Sequence, residues 1–173
     1  MRKLAVLLVM AVLLAGCVGH TAPDPNPDPS PNSNPEPGDQ GTIPAPAFSL
    51  QDLGGNTWSL AELKGNVVIL YFWTAGCPNC IRSLPDLSAL QEELPEDVRL
   101  LLLNGGDSKK KVEEVMEAYP NLTVLMNATA IFGVYGVRYV PTTVFIDAEG
   151  RLDRGYIGPI PNQGILQIIE ELR

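Results

Sequence analysis

Two cysteines separated by two residues, Cys77-Pro78-Asn79-Cys80, can close a small disulfide ring and open it again by thiol exchange. They lie in the stretch VVILYFWTAGCPNCIRSLP, residues 67–85. A run of β-branched, aromatic and leucine residues from Val67 to Trp73 suits a strand covered on both faces. Thr74-Ala75-Gly76 ends the run, and Ile81, Leu84, Leu87, Leu90 and Leu94 then recur at helical spacing with one apolar stripe. The dithiol therefore falls where a strand becomes a helix. A cysteine at a helix start faces unpaired backbone N–H groups and the positive end of the helix dipole. Both favour thiolate over thiol, so Cys77 is expected to have a lowered pKa and to act as nucleophile. Pro78 suits the first turn, where its missing N–H costs nothing. Cys80, one turn on, is expected to lie deeper and to resolve the mixed disulfide.

Downstream, Tyr139-Val140-Pro141-Thr142 precedes an apolar run. With this segment, the dithiol stretch resembles the active site of the thioredoxin superfamily. The wider pattern resembles its membrane-anchored, extracytoplasmic branch, the TlpA/ResA-type thiol–disulfide oxidoreductases. The likeness spans about three quarters of the chain, from residue 46 to 173. It implies a thioredoxin-like α/β fold, a central mixed β-sheet flanked by helices, with an N-terminal β-hairpin and an inserted helix. It implies a cis peptide before Pro141 facing the cysteines, where an ordinary trans proline at a strand start is the alternative. It also implies a client-docking surface of Val140, Pro141, Trp73 and Pro78. Val140 would offer its backbone to a client strand, and Trp73 would belong to the core with one edge exposed. Pro85 matches a family proline that kinks the active-site helix. The group's known substrates include the haem-site cysteines of apocytochrome c, and a membrane thiol carrier supplies its electrons. No cofactor is implied beyond the redox-active Cys77–Cys80 pair.

The chain departs from the family pattern at three places. Gly76 stands where many relatives have tryptophan, so the surface around Cys77 is expected to be open. Ser83 stands where relatives often have glutamate, and Tyr71 where thioredoxin has a buried aspartate. No carboxylate is therefore expected to move the proton of the deep cysteine, leaving water or an unforeseen residue to do it. Three other chemistries compete. A metal bound by Cys77 and Cys80 lacks a third ligand, because the single histidine, His20, lies far upstream. A peroxiredoxin places threonine three residues before its cysteine, as Thr74 does, and proline seven before, where this chain has Leu70. A binding module with a structural disulfide is the non-enzymatic reading, but so short a loop stabilises little.

The remaining sequence says where such a domain sits. Met1-Arg2-Lys3 is basic and residues 4–14 are apolar, a signal-peptide core too short to span a bilayer. Leu14-Ala15-Gly16-Cys17 follows and resembles a bacterial lipoprotein cleavage box. Cleavage would make 1–16 the signal peptide and leave Cys17 to be lipidated. An ordinary secretory signal with Cys17 as a stray thiol is the alternative. Three cysteines in all favour the lipoprotein, since lipidation leaves one pair. Residues 17–46 then form a tether in which proline recurs among Asp, Asn, Ser and Gly. At about 3 Å per residue it reaches roughly 70–80 Å. The folded domain is expected at 47–173.

Within that domain a hairpin is expected about Gly54-Gly55, with further strands at 98–103, 122–126, 142–146 and 152–157. Asp107 or Ser108 can cap a helix, with Lys109, Lys110 and Lys111 as solvated residues of its first turn. Asn127 is expected to cap a short helix, and Pro161-Asn162 opens the last one. The sequons at Asn121 and Asn127 carry no meaning in a bacterial lipoprotein. Removal of Arg2 and Lys3 with the leader leaves ten basic and twenty acidic side chains, a net −10. That charge disfavours nucleic acid and anionic lipid and leaves disulfide-containing client proteins as the expected partners.

Overall fold

The computed structural model describes residues 43–173. Cys17, His20, the leader and the tether through residue 42 lie outside the described residues. Everything else is arranged about β3 (Val67–Trp73), the middle strand of a five-stranded sheet. Its seven residues are all buried, as a strand with helices or loops on both faces must be. β4 (Val98–Asn104) runs parallel to β3 on one side, with β5 (Thr123–Leu125) parallel beyond it. β6 (Thr142–Ile146) runs antiparallel on the other side, with β7 (Leu152–Ile157) at the edge. A separate hairpin, β1 (Ser49–Gln51) and β2 (Thr57–Ser59), turns through Gly55 at φ 86°. The sheet is thus mixed, in the order β5-β4-β3-β6-β7.

The period of two along β3 divides the core. Val67, Ile69, Tyr71 and Trp73 face α1 (Pro78–Glu93), α2 (Lys109–Met116) and α4 (Asn162–Leu172). Val68, Leu70 and Phe72 face the hairpin, a 3-10 turn at Leu60–Leu63 and α3 (Thr129–Val134). On that second face Phe72 meets Phe132 edge-on at 5.0 Å and Tyr135 at 5.5 Å. The stripe read on α1 is Leu84, Leu87 and Leu90, all buried, with Ile81 and Leu94 half-buried beside them. Pro85 sits inside this helix.

Two local expectations change. Residues 43–46 are part of the folded domain rather than the end of a tether. Leu152 N donates to Ile43 O, Ala45 N to Gly150 O, and the Tyr135 hydroxyl to Pro46 O at 2.7 Å. Composition could not reveal this, because the partners lie over a hundred residues away for Ile43 and Ala45 and are recruited only when the sheet closes. Asn127 does not cap α3; it takes a left-handed φ of 58° and Ala128 occupies the cap. Asparagine tolerates that conformation better than most residues. Of the two cap candidates for α2, Ser108 is the one that caps it, accepting from Lys111 N. The Asn121 side chain is tied to Ser88 by two hydrogen bonds, its oxygen accepting from the hydroxyl and its nitrogen donating to the carbonyl.

Candidate active site

Cys77 is the N-cap of α1, and its extended backbone hands β3 over to the helix. Its sulfur accepts the Cys80 N–H at 3.1 Å, so it occupies the place where a capping oxygen normally sits. The first turn contains no acidic residue, and Pro78 occupies its start. Nothing in that turn therefore opposes a negative charge on Cys77. The two cysteines are joined as a disulfide, with Cα atoms 5.2 Å apart. They are unequal in access: Cys77 is half-buried while Cys80 is fully buried in the core of α1.

Opposite stands the turn into β6. The Val140–Pro141 peptide is cis, and the Val140 carbonyl oxygen lies 3.6 Å from Cys77 Sγ. Pro141 is buried and Pro78 exposed. Tyr139, 66% exposed, stands before them. Trp73, expected to show an edge to clients, is completely buried instead. The cause is its place at the end of a central strand paired on both sides, with its indole among the helices on the face shared with Cys80. Its indole N–H has no hydrogen-bond partner among the described residues. Trp73 thus supports the dithiol from below and offers no docking surface.

Behind Cys80 the buried Tyr71 hydroxyl donates to the Cys80 carbonyl at 3.4 Å. Burial pushes the Tyr71 phenol upward, and Ser83 beside it offsets this only in part. A cavity of about 270 Å³ opens there, lined by Tyr71, Ser83, Asp86, Thr143 and Asn162 among others. Asn162 Oδ1 is buried on its wall without a hydrogen-bond partner among the described residues. The cavity is large enough for several waters and carries the polar groups that hold them. Asp86 is a carboxylate that reading only the usual family positions had missed. It lies one helical turn beyond Ser83, and that i, i+3 step was the available signal.

The second feature missed in the sequence is the support of the loop before Cys77. Asp107 Oδ2 accepts from Ala75 N at 2.6 Å and from Asn104 Nδ2 at 3.0 Å. Asp107 Oδ1 meets Lys111 Nζ at 2.9 Å, and Asp107 N donates back to Asn104 Oδ1. Burial opposes the charge on Asp107, but Lys111, Ala75 N–H and Asn104 together outweigh it and hold its pKa below the ordinary aspartate value. Lys109 and Lys111 are accordingly engaged rather than merely solvated: Lys109 Nζ donates to Leu53 O at 2.8 Å. Among the described residues no three His, Cys, Asp or Glu side chains lie together as a metal site requires. Among them, too, no helix is long and apolar enough to cross a membrane.

The chain's similarities agree with this geometry. Residues 42–154 match the model of the AhpC/TSA family. The thiol-disulfide oxidoreductase ResA of Geobacillus thermodenitrificans is 32% identical over 133 residues, covering 75% of this chain and 76% of that protein. ResA of Halalkalibacterium halodurans is 29% identical over 130 residues, covering 73% of each. Among solved structures, the exposed lipoprotein thioredoxin of Streptococcus pneumoniae superposes with a TM-score of 0.67 at 33% identity. That match covers 73% of this chain and all of the other.

Proposed function

The chain belongs to the AhpC/TSA family, thioredoxin-like in fold, and is a thiol–disulfide oxidoreductase; on that footing we propose that it reduces disulfides in client proteins outside the cytoplasm. The observation that carries the reading is the unequal pair: Cys77 half-exposed at a helix N-cap beside the cis Val140–Pro141 peptide, Cys80 buried one turn behind it. In the reducing direction the Cys77 thiolate attacks a client disulfide. One client sulfur joins Cys77, and the other leaves as a thiolate and takes a proton. Cys80 then loses its proton and attacks Cys77, which releases the second client sulfur and leaves the Cys77–Cys80 disulfide. Tyr71, Ser83 and Asp86 line the cavity through which that proton reaches solvent. A membrane thiol carrier returns two electrons to the pair. Apocytochrome c is one client of suitable chemistry. The basic start, short apolar core and Leu-Ala-Gly-Cys17 motif support anchoring as a lipoprotein.

Trapping tests the assignment. Cys80→Ser is expected to accumulate covalent client complexes that dithiothreitol dissolves, while Cys77→Ser accumulates few and is inactive. The reverse pattern would exchange the two roles. Direction is read from the reduction potential of the pair. A value near about −270 mV fits a reductase, and one near about −120 mV an oxidase. The peroxidase reading predicts instead that the wild type consumes peroxide through a sulfenic acid on Cys77. Against it, position 70, where that motif needs proline, is a fully buried leucine in the middle of β3.

A further inference from the structure

Gly76 has no side chain at the residue preceding the nucleophile, and the space beside it is not empty. Apart from its chain neighbours, a Cβ there would meet within 4 Å, among the described residues, only the ammonium of Lys111 at 3.7 Å. Lys111 is held in place by Asp107, the same carboxylate that fixes the Ala75 N–H. The pair is lopsided. The Asp107 side chain is 12% exposed and already accepts from Ala75 and Asn104, whereas the Lys111 side chain is 49% exposed. What this corner of the active site shows to solvent is therefore the cation.

Its origin in the sequence points the same way. Lys109, Lys110 and Lys111 fill the first turn of α2, which contains no acidic residue. Cations there oppose the helix dipole, an arrangement that costs helix stability. Breaking a local rule beside an active site suggests a functional gain. Lys110 is 87% exposed and Lys109 is bonded to Leu53 O, so Lys111 is the one turned to Gly76.

We infer that Lys111 is a specificity-determining residue that favours client segments carrying an acidic side chain next to the cysteine attacked by Cys77. This rests on the thiol–disulfide exchange assigned to Cys77. The ammonium of Lys111 pairs with the client carboxylate while the client backbone lies between Gly76 and the Val140–Pro141 turn. The chain's net charge of −8 does not cancel this. Charges more than about 8 Å away are largely screened at physiological salt, so the local cation decides.

The test uses the reduced full-length protein and two synthetic peptides, each bearing one cysteine as a mixed disulfide with a chromogenic thiol. The peptides differ only in Glu or Gln beside the cysteine. Rates of the first exchange are divided by those of free dithiothreitol, which removes the intrinsic reactivity of each disulfide. The wild type is expected to favour the Glu peptide about three- to fivefold at low salt, as one unit charge at close range in water implies. The preference should shrink in high salt. Lys111→Arg should keep it, Lys111→Met should bring it to about one, and Lys111→Glu should invert it. Thermal midpoints confirm that each variant is folded, and if Lys111→Glu is not, Lys111→Met decides. Equal rates for both peptides in the wild type, or a preference unchanged by Lys111→Met, overturn the inference while leaving exchange intact. Failure to react with either peptide overturns the exchange reading and the inference with it.

Discussion

Cys77 and Cys80 are chemically the same residue, and position alone separates their roles. One caps a helix with its sulfur half-exposed; the other is sealed beneath it. Asp107 matters at the same scale because it holds the loop that delivers Cys77. Its carboxylate is nearly buried and gathers three donors, one of them charged. Hydrogen bonds to a charged group contribute about 1.5–3 kcal/mol each before coupling is considered. Asp107→Asn keeps the shape and loses the charge, so it should destabilise the fold by about 1–2 kcal/mol at pH 7. The lowered pKa gives this a signature in pH. A carboxylate depressed in the folded state stabilises above its unfolded value of about 3.9, and the contribution is lost as pH falls through the folded value. The stability gap between wild type and Asp107→Asn, measured by urea unfolding, should therefore narrow below about pH 4. A gap that stays constant to low pH would show that the charge of Asp107 does not matter. None of this was visible beforehand. The spacing of Asn104 and Asp107 reads equally well as an ordinary turn, and the partner Ala75 lies on another strand's exit.

α1 is the element that turns a cysteine pair into a redox site, through the electrostatics of its first turn. That turn has no acid, and Arg82 donates to Asn79 within it. Asn79→Asp introduces an anion beside the Cys77 thiolate. A charge near a helix N-terminus is worth about 0.3–1 kcal/mol. The thiolate, and with it the reduced state, loses about that much. The Cys77 pKa should rise by less than about one unit, and the potential should become more negative by about 5–20 mV. Titration of the thiolate absorbance and equilibration with glutathione measure the two; a potential that moves upward would contradict this account of the helix. Elements of this kind were the most legible part of the sequence. β3 and the α1 stripe announce themselves because a run buried on both faces and a three-to-four spacing are unambiguous. The short pieces were not. At Asn127 a cap and a left-handed turn use the same residue type, and only the path of the neighbouring chain decides. Only the exposed edge expected of Trp73 was wrong, for a related reason: the sequence places it in the core at a strand end, while its full burial depends on β4 beside it and the helices packed over that face.

For the molecule as a whole, the proposed membrane thiol carrier raises the question of what would keep an acidic domain near it. No described helix is long and apolar enough to cross a bilayer, and a chain of net −8, or −10 if the expected leader is removed, has no electrostatic reason to approach anionic lipid. The lipoprotein proposal makes that attachment a covalent one. On that proposal Cys17 in Leu-Ala-Gly-Cys would carry it, since diacylation of its thiol and acylation of a new N-terminus would give more than the single chain that holds only marginally. Cys17→Ser removes the acyl site and leaves the domain untouched. The variant should be found in the soluble fraction or remain as unprocessed precursor, while its purified domain still exchanges disulfides at the wild-type rate. Fractionation of intact cells, with the N-terminus of each product read by mass spectrometry, distinguishes the outcomes. A normally processed Cys17→Ser protein that still sediments with membranes would place the anchor elsewhere.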